Sequence, residues 1–282
     1  MLKNFICPNK AITPIEVCLK KCPFGERCAT ISFLTLCADE RQWNGKPSVT
    51  QLIRGTREAY LKITCDYSED PQDQVFRVIG SKGHSSLEKH GLHPEERIEF
   101  EGITGIPDEI EDENEIILID NKITGSYRVM LVLGMDVSDA GTGEFFKNGK
   151  EKTRKTYTEN PEKSVFSNIY DEWILQTNMY RIMFESKTGK HVDKIKVMMF
   201  VRDGGTTSAK TRGIDKNFRY VEAPIIDDKI ILEYFRKKRD DLLSALKTNT
   251  VPEPCTPEEA WNGNKCKNYC SVVDFCDCPY LD

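Results

Sequence analysis

A cysteine pattern written twice constrains this chain more than any other feature. The segment CPNKAITPIEVCLKKCPFGERC holds Cys7, Cys18, Cys22 and Cys28, and CTPEEAWNGNKCKNYCSVVDFC holds Cys255, Cys266, Cys270 and Cys276. Both read C-x10-C-x3-C-x5-C, and chance does not supply three identical intervals at opposite ends of 282 residues. Each foursome must either pair into disulfides or hold metal as thiolates. The start, MLKNFICPNK, lacks the apolar core of a secretory signal, and no apolar run is long enough to cross a bilayer. The expected location is therefore intracellular (cytoplasmic), away from membranes, where thiols stay reduced and two thiolate metal sites are favoured. Neither group contains the C-x2-C knuckle usual in zinc ribbons, which tilts the expectation toward iron–sulfur chemistry with zinc as the alternative. Cys37, Cys65 and Cys278 remain over and are expected to be structural.

Between the cysteine groups the chain reads as one α/β domain. Residues 1–47 form an N-terminal cysteine-rich segment that ends in the turn-like WNGKP, residues 48–250 a core, and residues 251–282 a C-terminal cysteine-rich metal-binding tail. Ser48 predicts an N-cap for a helix through SVTQLIRGTREAYLKI, and a second helix is predicted from Gln74 to His90. Strands are expected in IEFEGITGIPDEIE, EIILIDNKI and SYRVMLVLG. The polar, Gly-containing stretch Ala140–Tyr157 reads as a loop. A helix over Ser164–Ser186, a strand in KIKVMMFV and a charged helix over Asp227–Lys247 complete the core.

Chemistry is expected on the hairpin IPDEIEDENEIILIDNK. Asp108 and Asp120 lie on neighbouring strands, and Lys122 shares the Asp120 face because strand side chains alternate with period two. Two carboxylates can hold a hard cation such as Mg2+ or Mn2+ with coordination positions left open. A lysine beside them can orient water and neutralise charge that develops in a transition state. The net charge of −5 gives no global attraction to nucleic acid. Local cations do exist: Lys150, Lys152, Arg154 and Lys155 in the basic stretch, and Arg202 in VRDGG. Contacts to phosphate ask for such residues.

Pro107–Asp108 followed by Asp120-Asn121-Lys122 resembles the PD-(D/E)xK nuclease signature. Upstream, GSKGHSSLEKH places His84 as the RecB-like branch places a metal-site histidine on a helix. Downstream, Gln176 and Tyr180 in EWILQTNMYRIMFE resemble the Q-x-x-x-Y motif of the same branch. The elements follow the family's order over about Ser48–Ser186, half the chain. The resemblance implies a restriction-endonuclease-like core, a central mixed β-sheet flanked by helices. It implies a divalent-metal-dependent deoxyribonuclease, with exonuclease action on single-stranded or duplex DNA ends in DNA processing or recombination. His84, Asp108 and Asp120 would bind the metal, and Lys122, Gln176 and Tyr180 would complete the catalytic set. The tail is similar to those of the CRISPR-adaptation and AddB-type exonucleases, whose cysteines bind a 4Fe–4S cluster, three after the core and one before it. Here the match departs from the family: Gly55, in GTREAYL, stands where that preceding cysteine would be.

No Gly-x4-Gly-Lys-Ser/Thr run occurs, so any helicase or recombination partner must be a separate chain. A different class remains open: a non-catalytic nucleic-acid-binding or scaffold protein built on a nuclease-like core. An intact acid–acid–lysine set argues against it, because an idle site has no physical reason to hold such charges.

Overall fold

The computed structural model describes residues 1–90 and 96–281 and shows a mixed α/β protein with helices flanking several small sheets. The described residues fall into two compact units that cross the expected segments. One gathers Met1–Ser85, Arg97–Gly105 and Lys229–Asp282, so both cysteine groups belong to it. The other runs over Ser86–Glu96 and Ile106–Asp228 and carries the acidic hairpin. Among the described residues, no helix is long and apolar enough to cross a membrane.

In the cysteine-bearing unit, the Leu2–Ile6 strand pairs antiparallel with Ile12–Pro14 and parallel with Tyr67–Glu69. Beneath this sheet Phe5, Cys18, Leu34, Cys37 and Val78 form a buried apolar cluster. Ser48 caps as expected, its side chain accepting from Gln51 N. The predicted helix nevertheless breaks into Val49–Leu52 and Thr56–Thr64, with Gly55 extended as the N-cap of the second. The helix expected from Gln74 spans Val75–Glu88, and the tail-proximal helix spans Asp228–Thr248.

The other unit is built on a four-stranded mixed sheet. Its order is Phe218–Ala223, Lys194–Val201, Ile116–Thr124, Glu109–Asp112, with the two central strands parallel and each edge strand antiparallel to its neighbour. The Glu172–Thr188 helix is buried along Ile174–Met183, and each large apolar side chain so buried contributes roughly 1.5–3 kcal/mol. It starts later than the predicted Ser164, because two short 3-10 turns, Pro161–Lys163 and Val165–Ser167, precede its Asp171 cap.

Two expectations are corrected here. SYRVMLVL is a helix, Ser126–Leu133, rather than a strand. The Asp203 carboxylate accepts from both Ser126 N and Ser126 Oγ at 2.6 Å, and Gly134, at φ 59°, ends the helix. Tertiary capping here overrides the strand preference of its β-branched residues. The stretch expected as a loop is instead a β-hairpin, Met135–Phe145 against Glu151–Glu159. Its turn holds Asn148-Gly149, with Gly149 at φ 79°.

Candidate active site

Register brings the acidic residues together. The ladder runs from Asp112 opposite Ile116 to Glu109 opposite Ile119, and Asp108 lies at the bend just before it, next to the strand that carries Asp120. Asn121 N donates to Asp108 Oδ2 at 2.7 Å, which ties the carboxylate to the strand that carries Asp120. Asp120 itself is fully buried. Lys122 Nζ stands 2.7 Å from Asp120 Oδ2, yet neither Asp120 oxygen accepts a well-aligned hydrogen bond from the described residues. The two observations are compatible, because an ion pair needs only proximity while a hydrogen bond also needs direction. A buried carboxylate with so few donors is costly unless a further positive charge meets it.

The lysine is held from the helix side. Gln176 Oε1 accepts from Lys122 Nζ at 2.9 Å, and Gln176 Nε2 donates to Tyr180 Oη at 3.2 Å. Gln176 and Tyr180 are one turn apart and both buried, so the i, i+4 spacing points them at a common target. Two side chains without a sequence motif complete this wall. Trp173 lies beneath Lys122, with Nζ 5.9 Å from the ring centroid. Arg128 stacks on the same ring at 4.6 Å while its Nη2 donates to both Asp171 oxygens, at 2.7 and 2.6 Å. Trp173 is one turn before Gln176 and Tyr180 lies beyond it on the same face, a spacing that could have singled it out. Nothing in the local sequence around Arg128 does so.

The remaining expected site residues lie on other elements. His84 is half-buried on the Val75–Glu88 helix of the first unit. Lys152, Arg154 and Lys155 lie on the Glu151–Glu159 strand and Lys150 in the turn before it. Alternation sends Lys155 to the opposite face from Lys152 and Arg154. Lys152 is engaged locally, 3.0 Å from Glu144 and 5.8 Å from the Phe146 ring centroid. Arg202 is exposed beside Gly125, and its neighbour Asp203 bonds Ser126 and pairs with Arg212 at 3.5 Å.

In the cysteine-bearing unit all eleven cysteines are free thiols. Cys255, Cys266, Cys270 and Cys276 line one small cavity of about 20 Å³, and Cys278 joins them as a fifth sulfur. The C-x-C at 276–278 is the signal that could have added it. Cys255 Sγ sits directly over Gly55: a Cβ there would lie 2.2 Å from that sulfur. The tail thus brings a thiol against the start of the Thr56–Thr64 helix. Burial pushes the Cys255 thiol up to about 11, and burial together with the Cys278 thiol pushes Cys266 up to about 12. Beneath the cavity, Lys265 Nζ lies 2.6 Å from the buried Glu58 carboxylate, with Arg54 and Lys62 each at 3.7 Å. Cys7, Cys18, Cys22 and Cys28 line a separate cavity of about 220 Å³.

Among the described residues, no three His, Cys, Asp or Glu side chains converge closely enough to hold one ion by themselves. Mg2+ asks for less, since one or two carboxylates suffice when water and phosphate oxygens fill the other positions. Asp108 and the donor-poor Asp120 fit that requirement.

No protein-family profile and no curated protein matches this chain. Among solved structures it has a likeness to one described as the crystal structure of SSO0001, at 14% identity and a TM-score of 0.40. The likeness covers 93% of this chain and 95% of that one, and is too low to carry any argument.

Proposed function

We propose that this chain is a divalent-metal-dependent DNA nuclease with a restriction-endonuclease-like core, acting as an exonuclease on DNA ends. The supporting observation is the fully buried Asp120, short of hydrogen-bond donors, beside a lysine held by Gln176 and next to Asn121, whose N–H binds Asp108. Asp108 and Asp120 would hold Mg2+ or Mn2+, which when bound supplies Lewis-acid activation of phosphate and water. Lys122, steered by Gln176 and Trp173, orients the attacking water and offsets negative charge growing on the phosphoryl oxygens. Hydrolysis adds water oxygen to phosphorus, breaks the bond to the leaving sugar oxygen, and ends with a proton on that oxygen. Tyr180 fixes the Gln176 amide, so both act through the lysine rather than on phosphate. The exposed cations Arg154, Lys155 and Arg202 would meet the DNA backbone, with Lys150 and Lys152 at the hairpin turn. The tail thiols would hold a 4Fe–4S cluster or zinc whose binding energy becomes folding energy.

The test is cleavage of end-labelled DNA with Mg2+ or Mn2+ by the parent, Asp120→Asn and Lys122→Met. Each substitution should lower the rate by at least about a hundredfold, the scale for a lost electrostatic stabiliser. Lys122→Met should also lower the melting temperature, because it leaves the buried Asp120 unpaired, while Asp120→Asn removes that charge; DNA binding by the folded variants should be retained. Variants that cut at the parental rate would remove this site from the chemistry.

A further inference from the structure

The N-terminal cysteine cavity lies outside everything used for cleavage, and its shape differs from that of a single-ion site. Cys7 follows the Leu2–Ile6 strand at a tight turn, closed by Lys10 N donating to Cys7 O at 2.7 Å. Cys18 is buried on the Ile15–Lys20 helix, and Cys22 opens the CPFG turn, where Gly25 adopts φ 94°. Cys28 closes the set from the segment before the Ile31–Ala38 helix. The four sulfurs share their cavity with Pro8, Pro23, Phe24 and Leu34, a mostly apolar wall.

Three observations identify what the cavity fits. Its volume of about 220 Å³ is many times the roughly 10–15 Å³ that holds one water-sized sphere. All four cysteines line this one space, which is larger than a tetrahedral zinc site with sulfurs about 2.3 Å from one ion requires. Hydrogen-bonding groups also face the sulfurs: Thr13 Oγ1 is 3.3 Å from Cys7 Sγ. Arg27 lines the cavity, and its Nε is buried without a partner among the described residues. A cationic donor beside clustered thiolates offsets their charge, as hydrogen bonds to the sulfurs of iron–sulfur clusters do.

We propose that Cys7, Cys18, Cys22 and Cys28 ligate an iron–sulfur cluster of the 4Fe–4S class, bound independently of the tail cysteines. The cluster replaces the empty centre of a small module whose own core is the Phe5–Leu34–Cys37 cluster, and it stiffens that module by tying two turns and a helix to one rigid body. The inference does not rest on the nuclease reading and survives its failure.

The experiment uses the full chain prepared without oxygen and reconstituted with iron and sulfide. Native mass spectrometry counts the metal and sulfide carried by the parent, by Cys28→Ser, and by Cys266→Ser/Cys270→Ser. The tail variant should keep about four irons and four sulfides. The parent should exceed Cys28→Ser by that same increment. Cys28 is exposed, so its replacement leaves the packing intact. A tail variant that carries a single zinc, disulfides or no metal overturns the proposal, and so does a Cys28→Ser chain with the parental iron content. Because the parent is counted directly, a misfolded variant does not remove the test: a parent free of sulfide also overturns it.

Discussion

The two cysteine modules match in every sequence interval and differ in what their sulfurs enclose. The N-terminal four line an open space of about 220 Å³ walled by prolines, Phe24 and Leu34. The C-terminal set closes on about 20 Å³, and a fifth sulfur, Cys278, stands among its walls. Spacing brings thiols together; the groups behind them decide how far apart they stay. Behind the tail lies the Thr56–Thr64 helix, whose Arg57 Nε donates to Pro252 O at 2.6 Å and whose Tyr60 Oη donates to Asn249 Oδ1 at 3.1 Å. Its Glu58 anchors Lys265 from the tail. The N-terminal turns are tied from within instead, Arg27 Nη2 donating to Leu19 O at 3.2 Å and to Lys20 O at 3.1 Å. The tail cavity is the tighter of the two.

The largest effect on this comparison should come from Glu58. Burial raises its carboxyl, but Arg54, Lys265 and Lys62 outweigh burial and hold it below the ordinary glutamate range. Its folded-state pKa is therefore depressed, so its contribution is complete above the unfolded glutamate value. That contribution is lost as pH falls through the lower folded value. Glu58→Gln should cost about 3–5 kcal/mol at neutral pH, the scale for removing one partner of a buried ion group. It should also flatten the loss of stability on acidification. Denaturant unfolding at neutral and acid pH reads both. An unchanged acid profile would mean that the tail is not seated on this network.

A smaller and more selective effect is expected at Gly55. A side chain there meets Cys255 Sγ at 2.2 Å and its Cβ at 3.3 Å. Gly55→Ala should destabilise by about 1–3 kcal/mol, as overpacking does, and should deplete thiol-bound metal from the tail alone. Melting with metal analysis checks this; equal metal loss from both modules would erase the difference drawn between them.

Much of the candidate site was legible because strands and helices impose fixed periods. Asp120 and Lys122 share a face at i, i+2, and Gln176 and Tyr180 share one at i, i+4, without any tertiary information. The pairing of the two cysteine foursomes was equally plain from their intervals. What escaped was decided by distant contacts. Asp203 caps the Ser126–Leu133 helix from 77 residues away, so its β-branched run read as a strand. Arg128 and Trp173 became the seat of Lys122 only when helix and sheet met. The Asn148-Gly149 hairpin is a different lesson: the turn signal was present, and polar composition drew attention from it. The sulfur that meets Gly55 comes from the distant Cys255 and was not legible locally.

The central claim is that Asp108 and Asp120 form one cation site. Mn2+ binding, followed by the electron paramagnetic resonance signal of the free ion, measures this without relying on turnover. The titration is made on the parent, Asp108→Asn and Asp120→Asn, each with a phosphorothioate DNA end that resists cleavage. The parent should take up Mn2+, and each variant should bind it at least about tenfold more weakly, a loss of 1.4 kcal/mol or more. Three superimposable titrations would contradict the account, whatever the cysteine modules turn out to hold.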